Sequence, residues 1–225
     1  MGRGDAEWSA GRLELVQGCH AFDLLHHRQS LGRLRLSVPG RHNVHNALAA
    51  AALAHECGCA DHHILAGLER FEGASRRLSC RGFRRGVAVL DDYAHHPTEV
   101  RASLAAIRER YLPRRLFAIF QPHQHSRTRF LLDDFVLSLE AADVVFVPDI
   151  YFVRDSEEER SRVGAPDLVS RLCARGRPAR YLPDFDEIAD CVVAGVQEGD
   201  VIVTMGAGDV WKVADEIVRR LGRDH

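Results

Sequence analysis

The sequence contains a single lysine, Lys212, so arginine supplies nearly all of its 30 basic residues. These are balanced by 32 acidic residues, which gives a formal net charge of −2 at neutral pH. A general nucleic-acid-binding protein would carry a clear excess of positive charge. The composition therefore predicts a protein that does not bind nucleic acid.

Long apolar runs are also missing. No stretch approaches the roughly 18 uncharged apolar residues that a membrane-spanning helix needs. Charged residues occur throughout the first thirty positions, which is unlike a secretory signal. The six cysteines are scattered without a framework spacing, so they are expected to be reduced thiols. Together these features predict a cytoplasmic protein with no membrane contact.

A phosphate-binding loop is the third absence. The motif G-x-x-x-x-G-K-[ST] does not occur, and Lys212 lies in the last helical pattern. The run Gly206-Ala207-Gly208-Asp209 resembles half of a dinucleotide fingerprint, but a tight strand-to-helix turn is sufficient to explain it. Residues 55–63 hold histidines and thiols, yet Cys57 and Cys59 are too close in sequence for a standard zinc motif. No metal site is predicted.

The apolar pattern divides the chain near residues 80–86. Short strands are predicted over residues 11–16, 21–25 and 31–38, and helices over 43–56 and 61–70. Beyond the boundary the predicted strands are 87–90, 116–120, 144–147, 180–182 and 201–205, and the predicted helices are 97–111, 130–142, 166–175, 185–196 and 210–221. Buried strands that alternate with amphipathic helices are typical of a parallel sheet with helices on both faces. We therefore predict an α/β fold, with a Rossmann-like, doubly wound, mostly parallel sheet over residues 83–225. A partial strand-and-helix piece over residues 1–82 precedes it.

Polar residues cluster after the first strand of this predicted sheet, where such sheets bind ligands. The run is Asp91-Asp92-Tyr93-Ala94-His95-His96-Pro97-Thr98-Glu99. Its carboxylates can bind a ribose hydroxyl pair or a metal, and its histidines can bind a substrate carboxylate. A solvated turn before a capped helix explains the last three residues, but it does not require the aspartates, the tyrosine and both histidines together.

Two further stretches are candidates. Arg127 and Arg129 lie beside hydroxyl groups at a predicted helix start, where guanidinium groups can bind an anion. A solvated basic loop explains the same residues equally well. Residues 39–46 open the first long helix, and there Asn43 is explained as an N-cap and Asn46 as an exposed residue.

These stretches, in this order, resemble the Mur ligase family. Residues 91–99 match D-D-Y-[AG]-H-H-P-T-E, and residues 120–128 resemble F-Q-P-H-R-Y-[ST]-R-T. Residues 71–77 resemble F-x-G-x-x-R-R, and residues 39–50 resemble the helix start of the central ATPase domain of that family. The resemblance covers residues 35–221 and is strongest to the members that join L-alanine to UDP-N-acetylmuramate.

The resemblance implies an ATP-dependent acid–amino-acid ligase of peptidoglycan precursor synthesis, which uses Mg²⁺ and forms an acyl phosphate of UDP-N-acetylmuramate before L-alanine attacks. It also implies roles for individual residues. His42, Asn43 and Asn46 would border the adenine of ATP. Arg77 would reach its phosphates and Asp92 would bind its ribose. Tyr93, His95 and Arg127 would hold L-alanine and the reacting end of the sugar nucleotide.

Two departures from the family pattern leave alternatives open. Gln124 and His125 stand where arginine and tyrosine are usual, which weakens the expected grip on a substrate carboxylate. The UDP-binding domain, the phosphate loop and most Mg²⁺ ligands are also expected outside this sequence, so residues 1–82 would be the remnant of the central domain. We then expect no activity from this chain alone, and a separate chain could supply the missing parts. The alternatives are a non-catalytic module that binds a nucleotide or muramyl peptide, and a portion of the peptide-recycling muramyl ligase.

Overall fold

The computed structural model describes residues 6–222, which fold into two compact units. The first unit comprises the chain up to Gly73 together with Ala105–Leu112, and the second comprises Ala74–Leu104 and the chain from Pro113 onward. In the described part of the chain, no helix is long and apolar enough to cross a membrane.

The first unit contains a three-stranded antiparallel sheet and two helices. Its elements are β1 (Trp8–Val16), β2 (Cys19–His26), β3 (Gln29–Arg35), α1 (Arg41–Glu56) and α2 (Asp61–Arg70). The central strand β2 pairs with both neighbours. Alternate side chains of the sheet pack against the two helices and form a buried core. Its larger members are Phe22, Leu24, Leu34, Leu36, Val44 and Ile64.

The second unit is built on a six-stranded sheet in the order β4-β5-β9-β6-β7-β8. The strands are β4 (Ser79–Arg84), β5 (Val87–Asp92), β6 (Leu116–Phe120), β7 (Val144–Val147), β8 (Ala179–Tyr181) and β9 (Val201–Met205). All neighbouring pairs are parallel except β4 with β5. The last strand in sequence therefore lies between the first two parallel ones, and the loops after β5, β9 and β6 lie side by side.

Helices connect these strands and cover both faces of the sheet. They are α3 (Pro97–Tyr111), α4 (His125–Phe130), α5 (Leu132–Leu139), α6 (Glu157–Arg162), α7 (Ala165–Ala174), α8 (Phe185–Gly195) and α9 (Trp211–Leu221). One face packs against α8 and α9 in a continuous apolar cluster. On the opposite face Phe120 of β6 contacts Phe135 of α5, with ring centroids 5.1 Å apart. Burial on both faces is the reason that these strands are almost wholly apolar.

The predicted α/β class and mostly parallel sheet are confirmed, and most element bounds agree within two residues. Three predictions of local structure were wrong. The edge strand β4 was not predicted, because its polar, exposed sequence lacks an apolar pattern. The single helix expected over 130–142 is instead two helices that meet at Leu131, the first beginning at His125. The short helix α6 was also missed, since none of its residues is buried.

The domain boundary predicted after residue 82 stays a prediction. The compact units divide after Gly73, and β4 belongs to the sheet of the second unit. In the first unit, β1 exposes the apolar side chains Leu13, Leu15 and Val16. Such exposure was expected of a strand-and-helix piece taken from a larger domain.

Candidate functional site

The candidate site lies at the carboxyl edge of the parallel sheet in the second unit. Three polar segments meet there: residues 91–99, from the end of β5 to the start of α3, residues 121–127, from the end of β6 to the start of α4, and residues 206–209 after β9. Backbone hydrogen bonds join them, since Gly206 N donates to Asp92 O at 3.2 Å and Gln121 N donates to Met205 O at 2.9 Å. The strand order therefore brings together three polar clusters that are separate in the sequence.

Asp91 anchors this edge from inside the protein. Its carboxylate has no solvent exposure and accepts hydrogen bonds from Arg76 Nε at 3.2 Å and Thr204 Oγ1 at 2.8 Å. The same arginine donates through Nη2 to Gly206 O at 2.7 Å and Gly208 O at 3.2 Å. One guanidinium thus ties the loop after β5 to the turn after β9. The sequence identified Arg77, but the arginine that organises the edge is its neighbour Arg76.

Asp92 is also buried, with 3% of its surface exposed. Its Oδ1 accepts from Ala94 N at 2.8 Å, and its Oδ2 accepts from Leu78 N at 3.1 Å and Ser103 Oγ at 3.0 Å. Burial raises the pKa of Asp92 above its ordinary value, although these three donors oppose the shift. In this structure the carboxylate holds its own loop, and its predicted contact with ribose stays a prediction.

The exposed Tyr93 and the half-buried His95 form the rim of the same loop. Their rings make an edge-to-face contact at 5.2 Å, and His95 Nδ1 lies 3.0 Å from Tyr93 O. Glu99 accepts from the backbone N–H groups of His95 and His96 at 3.0 and 3.2 Å. Burial raises the pKa of Glu99, but those bonds and the nearby positive charges outweigh it, so the pKa lies below its ordinary value. The carboxylate fixes the loop at the start of α3.

Two arginines border the ring of Tyr93. The guanidinium carbon of Arg76 lies 5.0 Å from the ring centroid, and that of Arg77 lies 5.9 Å from it. Tyr93 N donates to Arg76 O at 2.7 Å. Arg77 is exposed, so its guanidinium can reach an anion outside the protein, whereas Arg76 is committed to internal partners.

His123 joins the loop after β6 to the rim. Its ring stacks on Tyr151 at 5.6 Å with an interplanar angle of 18°, and it meets His95 edge-on at 6.0 Å. Burial lowers the pKa of His123, and the nearby charges of Arg127, His95 and Arg154 lower it further. The imidazole is therefore held in its neutral form at neutral pH, where it can accept or donate a hydrogen bond.

Arg127 is a second cation of this edge that can receive an anion. Its Nη1 is buried and has no hydrogen-bond partner in the described part of the chain. Arg129, which the sequence paired with it, is instead engaged by Glu159 through Nε at 2.8 Å and Nη2 at 3.1 Å. The N–H of Ser126 donates to Asp155 at 2.9 Å. The anion site expected here thus depends on Arg127, with little help from its neighbours.

Gln124, which replaces the usual arginine, is hydrogen-bonded to the protein backbone. Its backbone has a positive φ of 69°, and its side-chain amide donates to Val153 O at 3.4 Å. The other replacement, His125, is buried, with Nδ1 2.8 Å from Val163 O. Both side chains therefore support the loop that carries Arg127.

The predicted adenine-side residues lie in the first unit, at the start of α1. Asn43 Nδ2 donates to Pro39 O at 2.8 Å, and Asn46 Nδ2 donates to Asn43 Oδ1 at 3.0 Å. His42 is half-buried beside Gly40, whose added Cβ would lie 2.6 Å from the imidazole ring. The two asparagines form a local ladder at a helix start, and their contact with adenine stays a prediction.

The residues present do not fit a Mg²⁺ site. Asp91, Asp92 and Glu99 already accept the N–H and O–H donors described above, and Asp209 lies 2.9 Å from the ammonium of Lys212. A hard divalent cation needs several oxygen ligands that are not already saturated by donors. We therefore assign no Mg²⁺ ligand to this edge.

Sequence reasoning missed several residues of this edge. Arg76 and His123 stand inside motifs that the sequence did identify, so their proximity to the predicted residues was a usable signal. Tyr151 gave no signal, because it lies 28 residues beyond His123 and reaches it only through a parallel bridge between the two loops. Gln121 lies beside the turn at Gly208, where its Oε1 would be 2.6 Å from an added Cβ. This proximity also arises only from the folding of the chain.

Residues 76–208 match the protein family described as Mur ligase, glutamate ligase domain. A UDP-N-acetylmuramate–L-alanine ligase of Solibacter usitatus is 42% identical over 217 residues, covering 96% of this chain and 45% of that protein. The same-named ligase of Caldanaerobacter subterraneus is 37% identical over 214 residues, covering 95% and 46%. The chain thus spans about half the length of the curated relatives that it matches.

A solved structure has a similar fold. The crystal structure of the UDP-N-acetylmuramate–alanine ligase from Thermotoga maritima aligns with a TM-score of 0.79 at 27% sequence identity. The alignment covers 97% of this chain and 46% of that one.

Proposed function

This chain belongs to the Mur ligase family, and we propose that it is a portion of an ATP-dependent ligase that joins L-alanine to UDP-N-acetylmuramate. In this reaction the muramyl carboxylate takes the terminal phosphoryl group of ATP, and ADP leaves. The amine of L-alanine then attacks the acyl carbon, phosphate leaves, and an amide bond forms. Phosphoryl transfer of this kind depends mainly on positioned charges, and the attack of the amine depends on orientation.

The observation that carries this proposal is the convergence of Tyr93, His95, His123 and Arg127 on one edge. A buried guanidinium nitrogen without an acceptor is costly, so Arg127 is suited to receive an anionic oxygen from a ligand. A carboxylate binds a guanidinium through two parallel hydrogen bonds. L-Alanine offers such a carboxylate, and Tyr93 and His95 form the adjacent rim that would orient the amine or the muramyl end.

The nucleotide roles are proposed on weaker geometric support. Arg77 is exposed and free to approach phosphate oxygens, which supports a contact with ATP. Asp92 would need to exchange one of its internal donors for a ribose hydroxyl. His42, Asn43 and Asn46 would border the adenine. We propose that Mg²⁺ is held by parts of the enzyme outside this chain.

The test is a chimaera in which this chain replaces the matching half of the Solibacter usitatus relative. We expect phosphate release that depends on ATP, UDP-N-acetylmuramate and L-alanine. Arg127→Ala should abolish it, and Arg127→Lys should restore little, because lysine cannot form the bidentate contact. Arg129→Ala is the matched control and should remain active, since its guanidinium is occupied by Glu159.

A chimaera that is correctly folded and inactive would overturn the ligase proposal. The replacement of arginine by Gln124 favours one other function, a module that binds nucleotide or muramyl peptide without catalysis. Binding of nucleotide or muramyl peptide by this chain alone, together with an inactive chimaera, would support that module. Ligation of a free peptide to UDP-N-acetylmuramate, with none of L-alanine, would instead identify a peptide-recycling ligase.

A further inference from the structure

A group of metal-ligating side chains lies in the first unit, at the turn between β2 and β3. Among the described residues, Glu7, His26 and His27 place one ligand atom each within 4.8 Å of the others. His26 Nε2 lies 3.1 Å from Glu7 Oε1, and His27 Nε2 lies 3.4 Å from the same oxygen. The stretch 55–63, which the sequence analysis rejected as a zinc motif, brings no such trio together in residues 6–222.

These separations match those between ligands of one small cation. Zinc binds imidazole nitrogen and carboxylate oxygen at about 2.0–2.1 Å, so two ligands at the tetrahedral angle lie about 3.3 Å apart. Both measured nitrogen–oxygen distances lie close to that value. The ligand nitrogens of His26 and His27 lie within 4.8 Å of each other, so binding of one ion by all three groups would bring the two imidazoles closer together.

The ligands are also held in place before any ion binds. The ring of His26 stacks on Trp8 at 4.3 Å with an interplanar angle of 16°, and it meets the edge of His55 at 4.6 Å. The backbone N–H of His27 donates to Glu7 O at 2.8 Å. Positive φ angles at His27 and Arg28 form the tight turn that aims both imidazoles at Glu7.

We propose that Glu7, His26 and His27 form a binding site for a divalent transition-metal cation, with zinc as the expected ion. Two imidazoles and one carboxylate are ligands of the kind that zinc selects, and water would complete the coordination. The bound ion would tie the start of β1 to the β2–β3 turn. This site shares no residue with the ligase edge, so its test is independent of the proposed function.

The simplest competing arrangement is a histidine–carboxylate ion pair without metal. Zinc titration of metal-free protein by calorimetry distinguishes the two. We expect one zinc ion per chain, and at least about tenfold weaker binding in both Glu7→Gln and His27→Ala. The exposed pair His62 and His63, with ring centroids 4.0 Å apart, supplies the matched control, and His62→Ala/His63→Ala should bind zinc as the wild type does.

Stability and spectroscopy give readouts besides affinity. Zinc should raise the Tm of the wild type more than that of Glu7→Gln at the same zinc concentration, because tighter binding to the folded state stabilises it more. Cobalt bound in place of zinc should show no thiolate charge-transfer band. The proposal is overturned if Glu7→Gln and His27→Ala bind zinc as tightly as the wild type. Loss of binding in Cys57→Ser/Cys59→Ser would also overturn it, since the ligands would then be thiols.

Discussion

Arg76 Nε lies 3.2 Å from Oδ2 of Asp91, a carboxylate with no exposed surface, and this ion pair joins three segments of the candidate site. The guanidinium also donates to the carbonyl groups of Gly206 and Gly208. Arg76 itself has a positive φ of 58°, a backbone conformation that costs free energy in a residue other than glycine. The bonds of its side chain offset that cost and hold the edge in one arrangement.

The first prediction concerns this ion pair. Arg76→Ala should lower the free energy of unfolding by about 3 kcal/mol or more, because it leaves a buried carboxylate without its charged partner. Urea denaturation measures the change. Arg81→Ala is the control, since its pair with Asp215 is largely exposed and should contribute at most about 1 kcal/mol. Equal losses in the two variants would show that Arg76 has no special structural role.

The second prediction separates the two possible roles of Asp92. Asp92→Asn should lower the free energy of unfolding by about 1–3 kcal/mol, because an amide cannot accept all three donors that the carboxylate accepts. Ser103→Ala, which removes one donor and leaves the carboxylate, should cost about 1 kcal/mol.

The ATP affinity of the two variants, measured in the active chimaera, tests the second role. If Asp92 also binds ribose, Asp92→Asn should weaken ATP binding and Ser103→Ala should not. Unchanged ATP affinity in both variants would leave Asp92 with a structural role alone.

The third prediction follows from the lowered pKa of His123. The unfolded chain takes up a proton near the ordinary histidine pKa of about 6.5, whereas the folded chain takes it up only at lower pH. The unfolded state therefore binds more protons between these two values, and stability should fall as pH drops below about 6.5. Arg127, His95 and Arg154 face the ring and oppose its protonation.

Denaturation of the wild type and His123→Gln at several pH values between 8 and 5 tests this. The difference between the two proteins should be constant above pH 7, and the wild type should lose more stability than the variant on acidification. Parallel curves over the whole range would contradict the assigned shift.

The fourth prediction concerns the turn after β9. An added Cβ at Gly206 would lie 2.7 Å from the carbonyl oxygen of Gln121, and the φ of 149° disfavours any other residue. Gly206→Ala should therefore destabilise the protein by about 1–3 kcal/mol and reduce the activity of the chimaera. Gly195→Ala is the control, because no atom lies within 4 Å of its added Cβ. It should be neutral or stabilise by up to about 1 kcal/mol.

Much of the fold could be predicted because its signals are local. The buried strands β5, β6, β7 and β9 are apolar runs whose composition follows from burial on both faces. The edge strand β4 has no such apolar run, because most of its residues are exposed to solvent. The helix α4 was misplaced because its start is fixed from outside, by Asp155 accepting from Ser126 N.

The sequence by itself determined the α/β class, the family resemblance and the residue types at the carboxyl edge, because periodicity and motifs are properties of neighbouring residues. Only the tertiary structure decided which of those residues are available to a ligand. Asp91 and Asp92 look alike in sequence as candidate ligand groups, yet both are buried and accept hydrogen bonds from other segments. Arg127 and Arg129 also look alike, but Glu159 occupies only one of them. Hydrogen bonds and ion pairs are completed by residues distant in sequence, so their completion is visible only after the chain has folded.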